Sequence, residues 1–130
     1  MKRMKAVLDS NVVVEVLKEK FTLERVFERY EEVNLTAVGM GELFYGAYHS
    51  TQVELHLAEC IQIQSKLPIL TIDDQTSRTY GVIKQELRQK GKMIPENDIW
   101  IAAIALTTDS VIVTKDQHFT RISNLQVELV

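Results

Sequence analysis

Residues 99–106 are all apolar, and this stretch constrains the fold more than any other part of the chain. A helix that is apolar all round has no face for water and is buried on every side, so the rest of the domain must pack around it. Pro95 suits a first helical turn and Asn97 can cap one. Asp98 then lies where the helix dipole favours negative charge, and we expect its carboxylate to stay ionised near the interior.

The composition is typical of a single globular domain spanning residues 1–130. The chain is 45% hydrophobic and 25% charged, which provides for a core without indicating disorder. The net charge of -3 argues against a binder that grips nucleic-acid phosphates without regard to sequence. Cys60 is the single cysteine, which is typical of a reducing compartment. The first apolar run, residues 6–8, is too short for a signal peptide or membrane span, so we expect a cytoplasmic protein.

Short apolar segments alternate with segments of helical periodicity along the chain. The predicted strands are residues 5–8, 33–38, 69–72, 111–114 and 126–130. The predicted helices are residues 12–18 with a cap at Ser10 or Asn11, 23–32, 42–48, 52–66 and 75–90, followed by the buried helix. Gly39 and Gly41 are expected to separate the second strand from the helix that begins at Glu42. Alternation of this kind predicts a three-layer α/β sandwich, with a parallel sheet of about five short strands and helices on both faces.

Acidic residues follow the predicted strands. Asp9 follows the first strand, Glu42 begins the segment after the second, and Asp116 follows the fourth. Ligands of such sheets bind outside the carboxyl ends of the strands, so these acids meet Asp98 at one rim if the first and fourth strands are neighbours. Gathered carboxylates repel one another unless a cation lies between them, and oxygen ligands suit Mg²⁺ or Mn²⁺. Each acid alone is also typical of a helix cap or turn, and only their joint placement indicates a metal site.

The four acids lie in four longer motifs. These are VLDSN at residues 7–11, GELFYG at 41–46, IPENDIWIAA at 94–103 and VTKDQHF at 113–119. In this order and spacing they resemble the successive signatures of PIN domains, specifically those of VapC-type toxins. The resemblance implies a PIN-like fold and a metal-dependent endoribonuclease, the toxin of a type II toxin–antitoxin pair, with an antitoxin protein as partner. It places Asp9, Glu42, Asp98 and Asp116 on the family's acidic positions.

The chemistry that fits this resemblance is hydrolysis of RNA phosphodiesters assisted by one or two Mg²⁺ or Mn²⁺ ions. Asp9, Asp98 and Asp116 would bind metal directly, and Glu42 would either bind metal or position a water. Asn11 and Thr114 are expected to hold the carboxylates in place.

Basic and aromatic residues suggest further contacts of lower specificity. Candidates for contact with the RNA backbone are Lys115, His118 and Arg121, together with Arg88, Lys90 and Lys92. His49 and His56 lack a cluster with transition-metal spacing and are not expected to bind metal. An exposed apolar stretch such as Phe44 and Tyr45 would suit a homodimer interface.

Two other functions remain open at this point. A receiver module would use Asp73 as the phosphoacceptor and Thr114 as the switch residue, but it needs a pair of acids after the first strand, where Ser10 and Asn11 stand instead. A PIN-like binding module without catalysis is the other alternative. It is suggested by the glycines before Glu42, which would leave that carboxylate poorly oriented.

Overall fold

A computed structural model of the protein describes residues 4–18 and 23–130, and so covers most of the predicted domain. The strands are β1 (Lys5–Leu8), β2 (Glu32–Thr36), β3 (Ile69–Leu70), β4 (Ser110–Thr114) and β5 (Val127–Leu129). The helices are α1 (Ser10–Leu17), α2 (Leu23–Arg29), α3 (Ala37–Tyr48), α4 (Val53–Lys66), α5 (Asp74–Lys90) and α6 (Glu96–Thr107). A short 3₁₀ helix (Gln117–Arg121) follows β4.

The strands form one parallel sheet in the order β3-β2-β1-β4-β5. The first and fourth strands are therefore neighbours at its centre, as the placement of the acids required. Their register pairs Lys5 with Ser110 and Leu8 with Val113, so both strands end at the same level. The carboxyl ends of β1 and β4 thus lie side by side.

Each face of the sheet is covered by its own hydrophobic core. Ala6 and Leu8 of β1 pack with buried residues of α1, α2, α3 and α4 on one face. Val7, between them in sequence, packs with Ile112 and with α5, α6 and the 3₁₀ helix on the other. This alternation confirms the three-layer α/β sandwich. The apolar helix is buried as predicted, since Ile99 and residues 101–105 of α6 have no exposed area.

The start of α3 differs from the prediction. The helix begins at Ala37, because the Thr36 side chain caps it by accepting a hydrogen bond from the backbone N–H of Gly39. A Cβ on Gly39 would lie 3.0 Å from the Thr36 hydroxyl oxygen. The glycine therefore leaves space for the capping hydroxyl and does not separate the strand from the helix. Gly41 also lies within the helix, and Glu42 is held on its second turn.

Several other boundaries and faces were predicted incorrectly. Helix α2 ends at Arg29 because Glu32 already belongs to β2, and β3 stops at Leu70. On the helices, Ile61 and Val82 are exposed, at 59% and 60%, whereas Cys60 and Ile63 form the buried face of α4.

Candidate active site

Asp9 is fixed where β1 meets β4. Its backbone N–H donates to the carbonyl of Val113 at 3.0 Å, which extends the pairing of the two strands by one residue. One carboxylate oxygen accepts from the Thr114 hydroxyl at 2.7 Å, and the other accepts from the backbone N–H of Ser10 at 2.9 Å. Asp9, and not Ser10 or Asn11, is therefore the N-cap of α1. Both of its oxygens are held in place by neighbouring donors.

Asp116 lies in the turn after β4, and hydrogen bonds hold that turn at both ends. Its backbone N–H donates to the Thr114 hydroxyl at 3.0 Å, and its Oδ1 accepts from the backbone N–H of His118 at 2.9 Å. The Asn11 carboxamide oxygen accepts from the backbone N–H of Lys115 at 3.2 Å. The Thr114 hydroxyl thus connects Asp9 to the turn that carries Asp116, while Asn11 connects α1 to the same turn.

Glu42 is oriented by residues from two other elements. The Ser10 hydroxyl donates to it at 3.4 Å, and the Asn97 side chain also hydrogen-bonds to its carboxylate. The prediction that Asn97 caps α6 is wrong, because Pro95 occupies the cap position without a side-chain bond. The role of Asn97 depends on a contact between distant helices, and no local sequence signal indicates it.

Asp98 lies in the first turn of α6 and is only 9% exposed. It borders an open cavity of about 380 Å³ that Asp9, Glu42 and Asp116 also line. The starts of α1 and α6 contribute the remaining wall, which consists of Ser10, Asn11, Pro95, Glu96 and Asn97. The structure therefore brings all four predicted acids to one place.

Burial and mutual repulsion raise the pKa values of three of these acids. Burial is the largest cause of the raised pKa of Asp98, which reaches about 6, and the charges of Asp9, Asp116 and Glu42 add to it. Burial also raises the pKa of Asp9, against the lowering effect of its bonds from Thr114 and Ser10. The pKa of Glu42 is raised by burial and then by the charge of Asp9. Burial and the neighbouring charges thus outweigh the helix dipole at Asp98, although a pKa of about 6 still leaves its carboxylate mainly ionised at pH 7.

These residues fit a divalent cation. The carboxylates face one cavity at a cost in repulsion that bound positive charge would remove, and hard oxygen ligands are those that Mg²⁺ and Mn²⁺ prefer. Among the described residues, the tightest group of potential ligands joins Asp98, Asp116 and His118, whose ligand atoms all lie within 4.8 Å of one another. Asp9 and Glu42 border the same cavity outside this group.

Three of the basic residues predicted to contact RNA, Lys115, His118 and Arg121, lie in the turn and the 3₁₀ helix after β4. The Lys115 ammonium is paired with Glu15 at 2.8 Å, and the Arg121 guanidinium donates to the carbonyl of Met93 at 3.0 Å. Both side chains belong to exposed residues. The other candidates, Arg88, Lys90 and Lys92, are exposed at the end of α5.

His49, His56 and Asp73, which are not predicted to bind metal, each contact a neighbouring side chain. His49 stacks on Tyr45 with ring centroids 5.5 Å apart, and His56 pairs with Glu59 at 2.8 Å. Asp73 caps α5 by accepting from the backbone N–H and the hydroxyl of Thr76, as predicted. None of these side chains lines the acidic cavity.

The hydroxyl of Thr114 is fully buried, so its removal should be costly. Thr114→Val keeps the shape but removes the hydrogen bonds to Oδ2 of Asp9 and from the backbone N–H of Asp116, and we expect it to lower the free energy of unfolding by about 1 to 3 kcal/mol. Thr114→Ser keeps the hydroxyl and should lose clearly less. Urea unfolding of both variants in metal-free buffer tests this, and equal stabilities of Val and Ser variants would show that the hydroxyl does not hold the two acids together.

Comparison with known proteins decides the family. Residues 6–125 match the PIN domain profile, which is nearly the whole chain. The chain belongs to the PIN domain family. It is 33% identical over 128 residues to Ribonuclease VapC2 of Haemophilus influenzae, covering 96% of this chain and 97% of that protein. It is 31% identical over 130 residues to the tRNA(fMet)-specific endonuclease VapC of Salmonella typhimurium, with the same coverage of 96% and 97%.

The fold of this PIN domain also matches a solved structure. In the crystal structure of VapBC2 from Rickettsia felis bound to a DNA fragment from their promoter, the matching chain is 27% identical and superposes with a TM-score of 0.89. The match covers 98% of this chain and 99% of that one. The resemblance found in the four sequence motifs is thus confirmed, and the receiver alternative is not supported, because Asp73 lies outside the acidic cavity.

The described residues contain no helix that is both long and apolar enough to cross a membrane.

Proposed function

We propose that this PIN domain is a metal-dependent endoribonuclease that hydrolyses RNA phosphodiesters as the toxin of a type II toxin–antitoxin pair. The observation that supports this most directly is the gathering of Asp9, Glu42, Asp98 and Asp116 around one open cavity. The relatives named ribonuclease and endonuclease, which match the chain over nearly its full length, support the reaction class. The cofactor we propose is Mg²⁺, with Mn²⁺ as a substitute, and the compartment is the cytoplasm, where RNA is available.

The residues of the site have different proposed roles. Asp9, Asp98 and Asp116 hold the cation, and the Thr114 hydroxyl keeps Asp9 in a fixed position. When bound, a divalent cation neutralises charge on the phosphodiester oxygens and makes a water acidic enough to attack at neutral pH. Glu42 is oriented by Ser10 and Asn97, and as a carboxylate with a raised pKa it can accept a proton from a water at the cavity or help to bind the cation.

This orientation of Glu42 removes the main reason for proposing an inactive binding module. That alternative depended on the two glycines before Glu42 loosening the backbone. In the structure both lie within α3, and the carboxylate has hydrogen-bond partners on two other elements.

Basic side chains flank Asp116, which lines the cavity, and are candidates for contact with the RNA strand. We propose that Lys115 and Arg121, together with the exposed part of the His118 ring, contact the RNA backbone on this side. Because Lys115 is paired with Glu15 in the free protein, it would exchange that partner for a phosphate.

The experiment that tests the proposed function is an RNA cleavage assay on purified protein with Mg²⁺, with Mn²⁺ and with EDTA. Substrates should include tRNA(fMet), since the Salmonella relative is named for it, and a mixed pool of cellular RNA. We expect cleavage in both metals and none in EDTA. Cleavage that persists in EDTA would contradict the metal-dependent reaction, and intact RNA under every condition, including the pool, would favour a binding module.

A partner antitoxin is the second part of the proposal. An acidic cavity is closed most effectively by a protein that inserts Arg or Lys, because a guanidinium bonds to carboxylates in bidentate fashion and takes the place of the cation. A groove of about 360 Å³ adjoins the cavity and shares Ser10, Asn11 and Glu42 with it. Its wall is largely apolar, with residues such as Leu17 and Leu43, and so offers further contact area to a bound protein segment.

We expect the antitoxin to compete with metal. As Mg²⁺ rises from about 0.1 to about 10 mM, the apparent inhibition constant should increase in proportion to 1 + [Mg²⁺]/Kd, because both ligands need the same carboxylates. Salt also screens Arg–carboxylate contacts, so the control is a parallel titration with NaCl at matched ionic strength. Equal weakening by Mg²⁺ and NaCl would place the antitoxin away from the acids.

A homodimer is the third part. Tyr45 and Tyr48 on α3 are 69% and 66% exposed, which is a large aromatic area for one helix. Phe44 is half-buried and packs against the core, so Tyr45 and Tyr48 supply most of the surface proposed for the contact.

A further inference from the structure

His118 places one ring nitrogen among the acids. It lies in the 3₁₀ helix after β4, and the bond from its backbone N–H to Asp116 fixes its position. Its Nδ1 is 3.0 Å from Oδ2 of Asp116 and 3.7 Å from Oδ2 of Asp98. The side chain is 38% exposed, yet Nδ1 itself is buried. The exposed part of the ring is therefore elsewhere, and Nδ1 faces into the group of carboxylates.

Within residues 4–18 and 23–130, this nitrogen has no hydrogen-bond partner. Although Asp116 is close enough, the angles do not suit a hydrogen bond, and Nδ1 is left as a buried polar atom without one. Buried ring nitrogens nearly always have a partner, so an unpaired one requires an explanation. A cation bound between this nitrogen and the carboxylates would supply the partner that the described residues do not.

The distances fit a cation held by the three side chains. In an octahedral site with bonds of about 2.1 Å, adjacent ligand atoms are about 3.0 Å apart. The 3.0 Å separation of Nδ1 from Asp116 Oδ2 has this length, and the 3.7 Å separation from Asp98 Oδ2 requires only a small closing movement. Among the described residues, Nδ1 is close to both carboxylates but hydrogen-bonds to neither, so it is open to a bound ion.

We propose that His118 is a direct ligand of the divalent cation through Nδ1, together with Asp98 and Asp116. The inference rests on the proposed metal site and changes its chemistry, since one nitrogen is added to a set of carboxylate oxygens. Mg²⁺ strongly prefers oxygen ligands, whereas Mn²⁺ accepts imidazole more readily. The site should therefore bind Mn²⁺ more tightly than Mg²⁺, and His118 should account for the difference.

Pulsed EPR of bound Mn²⁺ tests the proposal, because a directly bound imidazole gives a ¹⁴N coupling that carboxylates and waters do not. The protein is used without a histidine tag and freed of metal before Mn²⁺ is added. We expect the ¹⁴N coupling in the wild type and its loss in His118→Asn, whose carboxamide oxygen can occupy the position of Nδ1. His49→Gln, which removes an exposed histidine elsewhere, is the matched control and should keep the coupling.

Metal affinity provides the second measurement. His118→Ala should weaken Mn²⁺ binding by at least about tenfold and Mg²⁺ binding by less, and unchanged or tighter binding of both ions would contradict a direct bond from Nδ1. Mn²⁺ bound by the wild type without ¹⁴N coupling, or with a coupling that persists in His118→Asn, overturns the assignment of His118 and leaves the metal site standing. A wild type that binds no Mn²⁺ overturns the metal site and this inference together. The presence or absence of ¹⁴N coupling in the wild type can be read without any variant, so an unstable substitution would not prevent this test.

Discussion

Asp98→Asn is expected to lower the rate of RNA cleavage by about 10²- to 10³-fold and to leave the fold intact. A bound cation contributes several kcal/mol of charge stabilisation in the transition state, and loss of one carboxylate ligand removes much of it. Asn keeps the size of Asp and caps a helix equally well. If Asp98 served only the start of α6, the substitution would therefore be nearly silent. Asp9→Asn should be inactive too, since its neutral side chain still caps α1 but no longer binds the cation well.

The matched control is Asp73→Asn. Asp73 is also an acidic N-cap, but it lies at α5 and outside the acidic cavity, so its replacement should leave cleavage unchanged. Rates should be measured at saturating Mg²⁺ on the RNA that the wild type cleaves best, with circular dichroism to check folding. Full activity of Asp98→Asn would exclude this carboxylate as a ligand. A comparable loss in Asp73→Asn would mean that the assay responds to stability and not to the site.

The sheet and the acid cluster were predictable because both depend on patterns that are local in sequence. An apolar run followed at once by a polar residue marks the end of a buried strand, and Asp9 and Asp116 both stand near such ends. Parallel strands then bring their carboxyl ends to one rim whatever the loops between them do. The burial of α6 was predictable for a similar reason, because residues 99–106 offer no polar face.

The contacts that orient the acids were harder to predict, since they join residues far apart in the chain. Asn97 is of a residue type that is common at helix caps. Only the approach of α3 to α6 brings its side chain to Glu42. Gly39 was predicted to separate the second strand from the next helix, but in the structure its lack of a Cβ leaves space for the Thr36 hydroxyl. His118 was predicted to contact RNA because of its residue type and position. The sequence does not indicate that its Nδ1 points among the acids, because that direction depends on the turn that Asp116 holds. In each case the sequence shows the residue type but not its partner.

The cost of gathering the acids should be measurable as a dependence of stability on pH. In the folded protein the pKa of Asp98 is raised to about 6 by burial and by Asp9, Asp116 and Glu42, against about 3.9 for an unfolded chain. Between these values the folded state binds more protons than the unfolded state, so the free energy of unfolding falls as pH rises. The loss is complete above about pH 7 and amounts to roughly 2 to 3 kcal/mol.

Asp98→Asn should remove this dependence, because the neutral amide resembles the protonated acid at every pH. In metal-free buffer the variant should match the wild type near pH 4 and exceed it by roughly 2 to 3 kcal/mol at pH 8. The favourable helix dipole, worth about 0.3 to 1 kcal/mol, acts in the opposite direction but is the smaller effect. Asp116→Asn and Asp9→Asn should also melt above the wild type in EDTA, since each relieves part of the repulsion.

Urea unfolding of wild type and Asp98→Asn at several pH values between about 4 and 8 provides the measurement. Asp73→Asn is again the control, because hydrogen bonds to Thr76 lower the pKa of Asp73, so its replacement should bring no gain at pH 8. Millimolar Mg²⁺ should then raise the stability of the wild type by mass action, and that of the variants much less. A wild type that is more stable than Asp98→Asn at pH 8 without metal, and that does not respond to Mg²⁺, would show that the carboxylates do not repel one another as the structure requires. The nuclease proposal would then have lost its physical basis, because charge that is costly without a cation is what makes this cavity a metal site.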